Sequence, residues 1–227
     1  MSDGVSNRVS ALGAVLFDMD GTLVDTEVLW WRTTEEVADG LGHRLTDADA
    51  PEVVGRAVED TAAHLVRAVG GGDPVAIAAE LTQRFFRRVE AGAPMRPGAQ
   101  RLLTALEAEG VPFALVSASP RVVVDSVVGG SLAHVPFAFT VSADDTERTK
   151  PHPDPYRAAA GRLGLEPGAC VAVEDSPDGA ASAEAAGCGV LVVPSLLPVP
   201  ASPRRTFARS LEDVTPALLR GRVGPPV

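Results

Sequence analysis

Asp18 and Asp20 stand two residues apart in the segment FDMDGT, at the end of a short apolar run. In extended backbone, residues two apart emerge on the same side, so both carboxylates can serve one reacting centre. Such a pair divides the labour of group transfer. One carboxylate attacks an electrophile such as phosphorus, and the other handles the proton of the leaving or attacking oxygen. Gly21 permits a tight turn at this point, and Thr22 supplies a hydroxyl and an N–H at anion-binding range. Taken alone, the segment also reads as an acidic strand end feeding a turn.

Three further segments carry compatible chemistry. Ser117 closes another apolar run, where its hydroxyl and the N–H groups of Ala118 and Ser119 can donate to an anionic oxygen; a plain helix cap is the simpler alternative there. Lys150 is the only lysine among the 20 basic residues, and Pro151 after it biases it to extended backbone. Its ammonium can neutralise a nucleophilic carboxylate and a transferring phosphoryl group together, whereas a surface lysine is the plainer reading. Glu174 and Asp175 end a fourth apolar run, VAVED. Clustered carboxylates repel one another, and a hard divalent cation such as Mg²⁺ relieves this by accepting oxygen ligands.

These residues need a scaffold that gathers strand ends. The runs Ala14–Asp18, Phe113–Ser117, Cys170–Asp175 and Gly189–Val193 suit central strands of a parallel sheet covered on both faces, with Phe137–Ser142 a weaker fifth. Helical patterns lie between them: Pro97 to Gly110, helices capped by Ser119-Pro120 and Ser176-Pro177, and Asp154–Gly164 and Asp178–Gly187. The alternation implies an α/β fold, a Rossmann-like parallel sheet with helices on both faces and a ligand site at the carboxyl ends of its strands. From Thr26 to Pro94 the alternation stops. Only helical patterns appear there, at Glu27–Leu41, Val58–Val69 and Pro74–Val89, so an all-helical insertion (26–94) divides a core formed by 1–25 and 95–227. The Pro-rich tail after Leu197 is expected to run over the surface.

Composition narrows the function classes. A formal charge of -10 disfavours nucleic acid and anionic membrane partners. Arg84, Arg87 and Arg88 read as a solvated helix face. No apolar run reaches the roughly 20 residues of a membrane span, and the polar start MSDGVSNRVS lacks the apolar segment of a signal peptide. Cys170 and Cys188 sit in apolar surroundings and read as small buried hydrophobes of a reducing compartment. The expectation is a soluble cytoplasmic protein, with a monomer compatible with everything above.

The segments AVLFDMDGTLVDTE, LVSAS, TKPHPDPY and VEDSPDGAASAEAAG resemble, in this order, the four successive motifs of the haloacid dehalogenase superfamily of phosphotransferases. The resemblance spans about Ala11 to Pro194 and makes 26–94 the helical cap of the subgroup with an early insertion. It implies that Asp18 forms an aspartyl-phosphate, that Asp20 is the general acid and base, and that Thr22, Ser117, Ala118 and Lys150 hold the phosphoryl group of a small phosphorylated substrate. It further implies that Mg²⁺ is bound by Asp18, the carbonyl of Asp20 and Asp175, with Glu174 close by or ligating. Asp25 and Glu27 would start and orient the cap, and Glu27, Gly55 and Arg56 would contribute to substrate choice.

The resemblance brings two rival activities, of which the phosphomutase shares all four motifs and the cap. Dehalogenation needs neither a second acid at Asp20 nor a cation site, so Asp20, Glu174 and Asp175 argue against it. A phosphomutase of the β-phosphoglucomutase kind carries a lysine before a cap glycine and an arginine three residues after that glycine. Here Val54 and Val58 occupy those places, with Arg56 as a partial substitute. The four histidines, His43, His64, His134 and His152, show no metal-ligand spacing, and of Trp30 and Trp31 one is expected to pack inside the cap.

Overall fold

The computed structural model describes residues 12–54, 56 and 58–223. Six parallel strands form one sheet in the order β3-β2-β1-β4-β5-β6: β1 Ala14–Phe17, β2 Phe113–Val116, β3 Thr140–Val141, β4 Cys170–Glu174, β5 Gly189–Val192 and β6 Arg205–Phe207. β1 is central, flanked by β2 on one side and β4 on the other. Strands β2 and β3 add outward on one side of β1 and β4 to β6 on the other, and this reversal of strand order opens a crevice at the carboxyl end of β1.

The apolar runs are continuous because each strand feeds two cores. Val15, Phe17, Phe113, Leu115, Val171 and Val173 enter one face, with bulky partners such as Leu102, Leu103 and Leu106 of α5 (Ala99–Ala108). Ala14, Leu16, Ala114, Val116 and Ala172 enter the other, where α7 (Asp154–Arg162) and α8 (Pro177–Ala186) press Ala159, Ala160, Ala180 and Ala183 against them. Small residues on both sides let these two helices sit close to the sheet. α6 (Arg121–Gly129) and α9 (Pro216–Arg220) complete the first face through Val124, Val127 and Leu219.

Four helices lie between β1 and α5: α1 Thr26–Gly40, α2 Ala50–Val53, α3 Val58–Val69 and α4 Pro74–Ala91. They enclose a core of their own built from Val37, Leu45, Val53, Leu65, Ile77 and Leu81. Two adjacent chain crossings connect them to the sheet, pinned by Asp25 N–H donating to the Pro94 carbonyl and Arg96 N–H to the Leu23 carbonyl, both at 2.8 Å. The Arg84 and Arg88 side chains of α4 pair with Glu36 of α1, so that arginine face ties the two helices together. Gly55 lies outside the described residues. Among the described residues, no helix is long and apolar enough to cross a membrane, and Cys170 and Cys188 are free and buried.

Three sequence expectations change. The tail after Leu197 does not merely run over the surface: β6 pairs with β5, and Leu211, Val214 and Leu219 fill the core beneath α5. A three-residue strand displays no period, so its prolines dominated the reading. The fifth strand shrinks from Phe137–Ser142 to Thr140–Val141, at the sheet edge beyond Pro136. Ser119 does not cap α6, whose capping position is Pro120.

Candidate active site

The carboxyl end of β1 carries Asp18, and the turn after it carries Asp20. Gly21 occupies this turn with φ 78°, and an added Cβ would stand 2.1 Å from Asp175 Oδ2, so only glycine lets the loop approach β4 this closely. Asp18 is buried. Its Oδ1 accepts from Lys150 Nζ at 2.6 Å, while its Oδ2 is buried without a hydrogen-bond partner.

Lys150 bridges two carboxylates, since Nζ also donates to Glu174 Oε1 at 2.6 Å. The face of the Tyr156 ring lies 5.2 Å from the same nitrogen. Burial by itself would lower the Lys150 pKa, but the Asp18 and Glu174 carboxylates outweigh it and hold the ammonium above its ordinary range. Glu174 is completely buried and fully engaged: Tyr156 Oη donates to Oε1 at 2.5 Å and Ser176 Oγ to Oε2 at 3.3 Å. Gly179 leaves room for it, because a Cβ there would fall 2.0 Å from both carboxylate oxygens.

Asp18, Glu174 and Asp175 bring oxygen atoms within 4.8 Å of one another and form a cluster that could hold a metal ion. Burial, with Lys150 opposing and the neighbouring carboxylates reinforcing, raises the Asp18 pKa well above its usual value. Burial and then Glu174 push Asp175 up to about 7. An orphaned buried acceptor on Asp18 beside an Asp175 carboxyl that resists ionisation is the environment that a hard cation relieves. The donor set therefore fits a divalent metal.

Asp20 is held by three hydroxyl groups. Thr26 Oγ1 donates to Oδ1 at 2.8 Å, and Ser119 Oγ and Ser117 Oγ donate to Oδ2 at 2.8 and 3.2 Å. Ser117 thus serves Asp20 in this structure, and the Ser119 N–H, expected to face an anion, donates to Ser117 Oγ at 2.9 Å. Thr22 is buried with its hydroxyl turned to Asp175 Oδ1 at 3.4 Å. Asp18, Asp20, Glu27, Ala118, Lys150 and Asp175 line one cavity of about 350 Å³, together with Ser195, Leu196 and Leu197. Glu27 sits where burial, then Asp20 and Asp25, raises its pKa. A second cavity of about 290 Å³ shares Asp20 and Glu27 and is lined by Trp30, Arg56, Val58 and Phe85. Trp30 packs edge-on against Phe85 and donates its indole N–H to the Val53 carbonyl at 2.9 Å.

Sequence reasoning missed Thr26, the Ser119 hydroxyl, Tyr156 and the contribution of Ser195–Leu197. Tyr156 left a signal: it is the only tyrosine in the chain and lies six residues after the only lysine. The histidine reading also needs correction, because the fold brings ligand atoms of His43, Asp49 and His64 within 4.8 Å of one another. Burial would raise the Asp49 pKa, yet donors from Thr46, His64 and His43 hold it well below the usual carboxylate range.

The haloacid dehalogenase-like hydrolase family model matches residues 12–187. Hexitol phosphatase B of Escherichia coli is 30% identical over 185 residues, covering 80% of this chain and 83% of its own. Protein CbbY of Rhodobacter capsulatus is 33% identical over 196 residues, covering 81% and 86%. The crystal structure of a HAD family hydrolase from Deinococcus radiodurans, with bound phosphate and sodium, superposes with a TM-score of 0.78 at 29% identity, covering 96% of this chain and 100% of that one. With four motif segments converging on one cavity and a family match over most of its length, the chain belongs to the haloacid dehalogenase-like hydrolases and is an enzyme of that family.

Proposed function

We propose that the protein is a Mg²⁺-dependent phosphatase that removes the phosphoryl group from a small phosphorylated metabolite, a phosphosugar or phospho-acid, through an aspartyl-phosphate on Asp18. Residues 26–94 act as a cap over the core formed by 1–25 and 95–227. The observation that carries this reading is the bridge from Lys150 Nζ to Asp18 Oδ1 at 2.6 Å, beside an Asp18 Oδ2 that lacks a partner. The names of the relatives, a hexitol phosphatase among them, support the substrate class.

In this reading Asp18 Oδ1 attacks phosphorus, and the bond to the leaving oxygen breaks as Asp20 delivers a proton to it. Asp20 then takes a proton from water, which attacks the acyl phosphate and regenerates Asp18. Lys150 neutralises the nucleophile and the transferring oxygens, and Glu174, held by Tyr156 and Ser176, positions Lys150. Asp18, Asp175 and the carbonyl of Asp20 would hold Mg²⁺, with Glu174 beside it; when bound, the ion lowers the electrostatic cost of bringing an anionic phosphate to this carboxylate cluster.

Hydrolysis is favoured over mutase chemistry by the cap. A mutase must grip a second phosphate, but Val58 and Phe85 line the cavity next to Asp20, and the exposed Arg56 spends its Nε on the Pro51 carbonyl at 2.9 Å. A distal phosphate would be desolvated there with little compensation. The test is incubation with β-glucose 1-phosphate, Mg²⁺ and a trace of the bisphosphate, run beside p-nitrophenyl phosphate with and without EDTA. Phosphate release that EDTA abolishes is expected. Efficient glucose 6-phosphate formation with little free phosphate would overturn the hydrolytic reading, and full activity in chelator would overturn the metal.

A further inference from the structure

His43 follows α1, Asp49 immediately precedes α2, and His64 lies on α3. None of the three lines the cavities around Asp18 and Asp20. Both imidazoles aim Nε2 at one oxygen: His64 stands 2.8 Å and His43 3.1 Å from Asp49 Oδ1, and all three ligand atoms lie within 4.8 Å of one another. The other oxygen, Oδ2, accepts from Thr46 N at 2.8 Å and Thr46 Oγ1 at 2.9 Å, so the carboxylate's orientation is set independently of what Oδ1 meets. The side chains are 10% (Asp49), 15% (His64) and 24% (His43) exposed, buried enough to be ordered and open enough for an ion to enter.

From this geometry we infer that His43, Asp49 and His64 form a transition-metal site in the cap, of the kind that takes Zn²⁺. Metal–ligand bonds of about 2.0–2.1 Å place tetrahedral ligand atoms about 3.3 Å apart, a few tenths of an ångström beyond the 2.8 and 3.1 Å seen here. Each imidazole would coordinate through Nε2 with its proton on Nδ1, replacing the hydrogen bonds to Asp49. Two nitrogens and one oxygen select zinc and its transition-metal neighbours over Mg²⁺ and Ca²⁺. Three protein ligands leave one position for water.

The ion would be structural. It would tie the α1–α2 connection to α3 and brace α2, whose last residue, Val53, accepts the Trp30 indole bond at the wall of the second cavity. The hydrolytic reading is not required for this site.

The test uses the full chain, stripped by chelator and returned to excess Mg²⁺ to occupy the acidic cluster. Zn²⁺ is then titrated in competition with a chromophoric chelator, and Co²⁺ is added separately as a spectroscopic probe. The expected results are one equivalent of Zn²⁺ retained and intense visible Co²⁺ bands of a tetrahedral site. His43→Gln and His64→Gln should each weaken Zn²⁺ binding at least ~100-fold, and Thr46→Val, which removes only a bond orienting Asp49, about tenfold. Equal Zn²⁺ binding by the wild type and both histidine variants would overturn the site. So would weak octahedral Co²⁺ bands in the wild type, a readout that stands even if a variant misfolds.

Discussion

Lys150 Nζ and Glu174 Oε1 lie 2.6 Å apart, and both side chains are almost fully withdrawn from solvent. Glu174 points its other contacts at Tyr156 and Ser176, so it acts as the seat on which the only lysine of the chain is fixed.

That seat makes Lys150→Arg a damaging change. A planar guanidinium cannot occupy the space of a compact ammonium held between two carboxylates and a tyrosine ring. The expected loss is at least ~2 kcal/mol of transition-state stabilisation, about 30-fold in kcat/KM. Steady-state kinetics with p-nitrophenyl phosphate measure it, and a near-normal value would remove Lys150 from the reaction.

Asp18→Asn should abolish turnover while preserving the fold. An amide matches the carboxylate in shape but cannot attack phosphorus. Phosphate release should fall to the reagent blank, with a Tm within about 4 °C of wild type by calorimetry. Turnover comparable to the wild type would assign the nucleophile elsewhere.

Ser119→Ala removes one of the three hydroxyls that orient Asp20. Proton transfer depends on placement more than on substrate affinity, so kcat should drop about tenfold with KM little changed. An unchanged kcat would mean that Thr26 and Ser117 suffice to hold Asp20.

Asp145 anchors the loop behind Ser119. It accepts from Ser142 N at 2.7 Å and from the Arg121 guanidinium, and the neighbouring Ala143 N–H donates to the Ser119 carbonyl at 3.0 Å. Burial opposes ionisation here, but the Ser142 and Arg121 donors prevail and lower the Asp145 pKa. A depressed pKa contributes stability that is present above the unfolded value of about 3.9 and is lost as pH falls through the folded value. Asp145→Asn should therefore destabilise the fold modestly at pH 7, because solvent screens a side chain that is about a third exposed, and the gap from wild type should close as pH drops below about 4. Denaturant melts of both proteins across that range would show it, and a gap independent of pH would contradict the charge-based account.

The sequence by itself determined the family and the scaffold class. Asp18, Ser117 and Glu174 were legible as strand ends because continuous apolar runs mark strands buried on both faces, a local property of the chain. Lys150 was legible because it is the only lysine in the chain, and the helical patterns of 26–94 match the helices α1 to α4 seen among its described residues. Tertiary structure decided which groups meet. Thr26, Ser117 and Ser119 converge on Asp20 from separate segments, and a hydroxyl carries no mark of which distant carboxylate it will serve. Tyr156 became the partner of Glu174 only when α7 packed on β4's face of the sheet. β6 and the helix after it were hidden because a three-residue strand is too short to show a period and its stability comes from its neighbour. His43, Asp49 and His64, spaced 6 and 15 residues apart, were assembled by the way α1, α2 and α3 pack around a core of their own, a long-range packing event that no local pattern encodes.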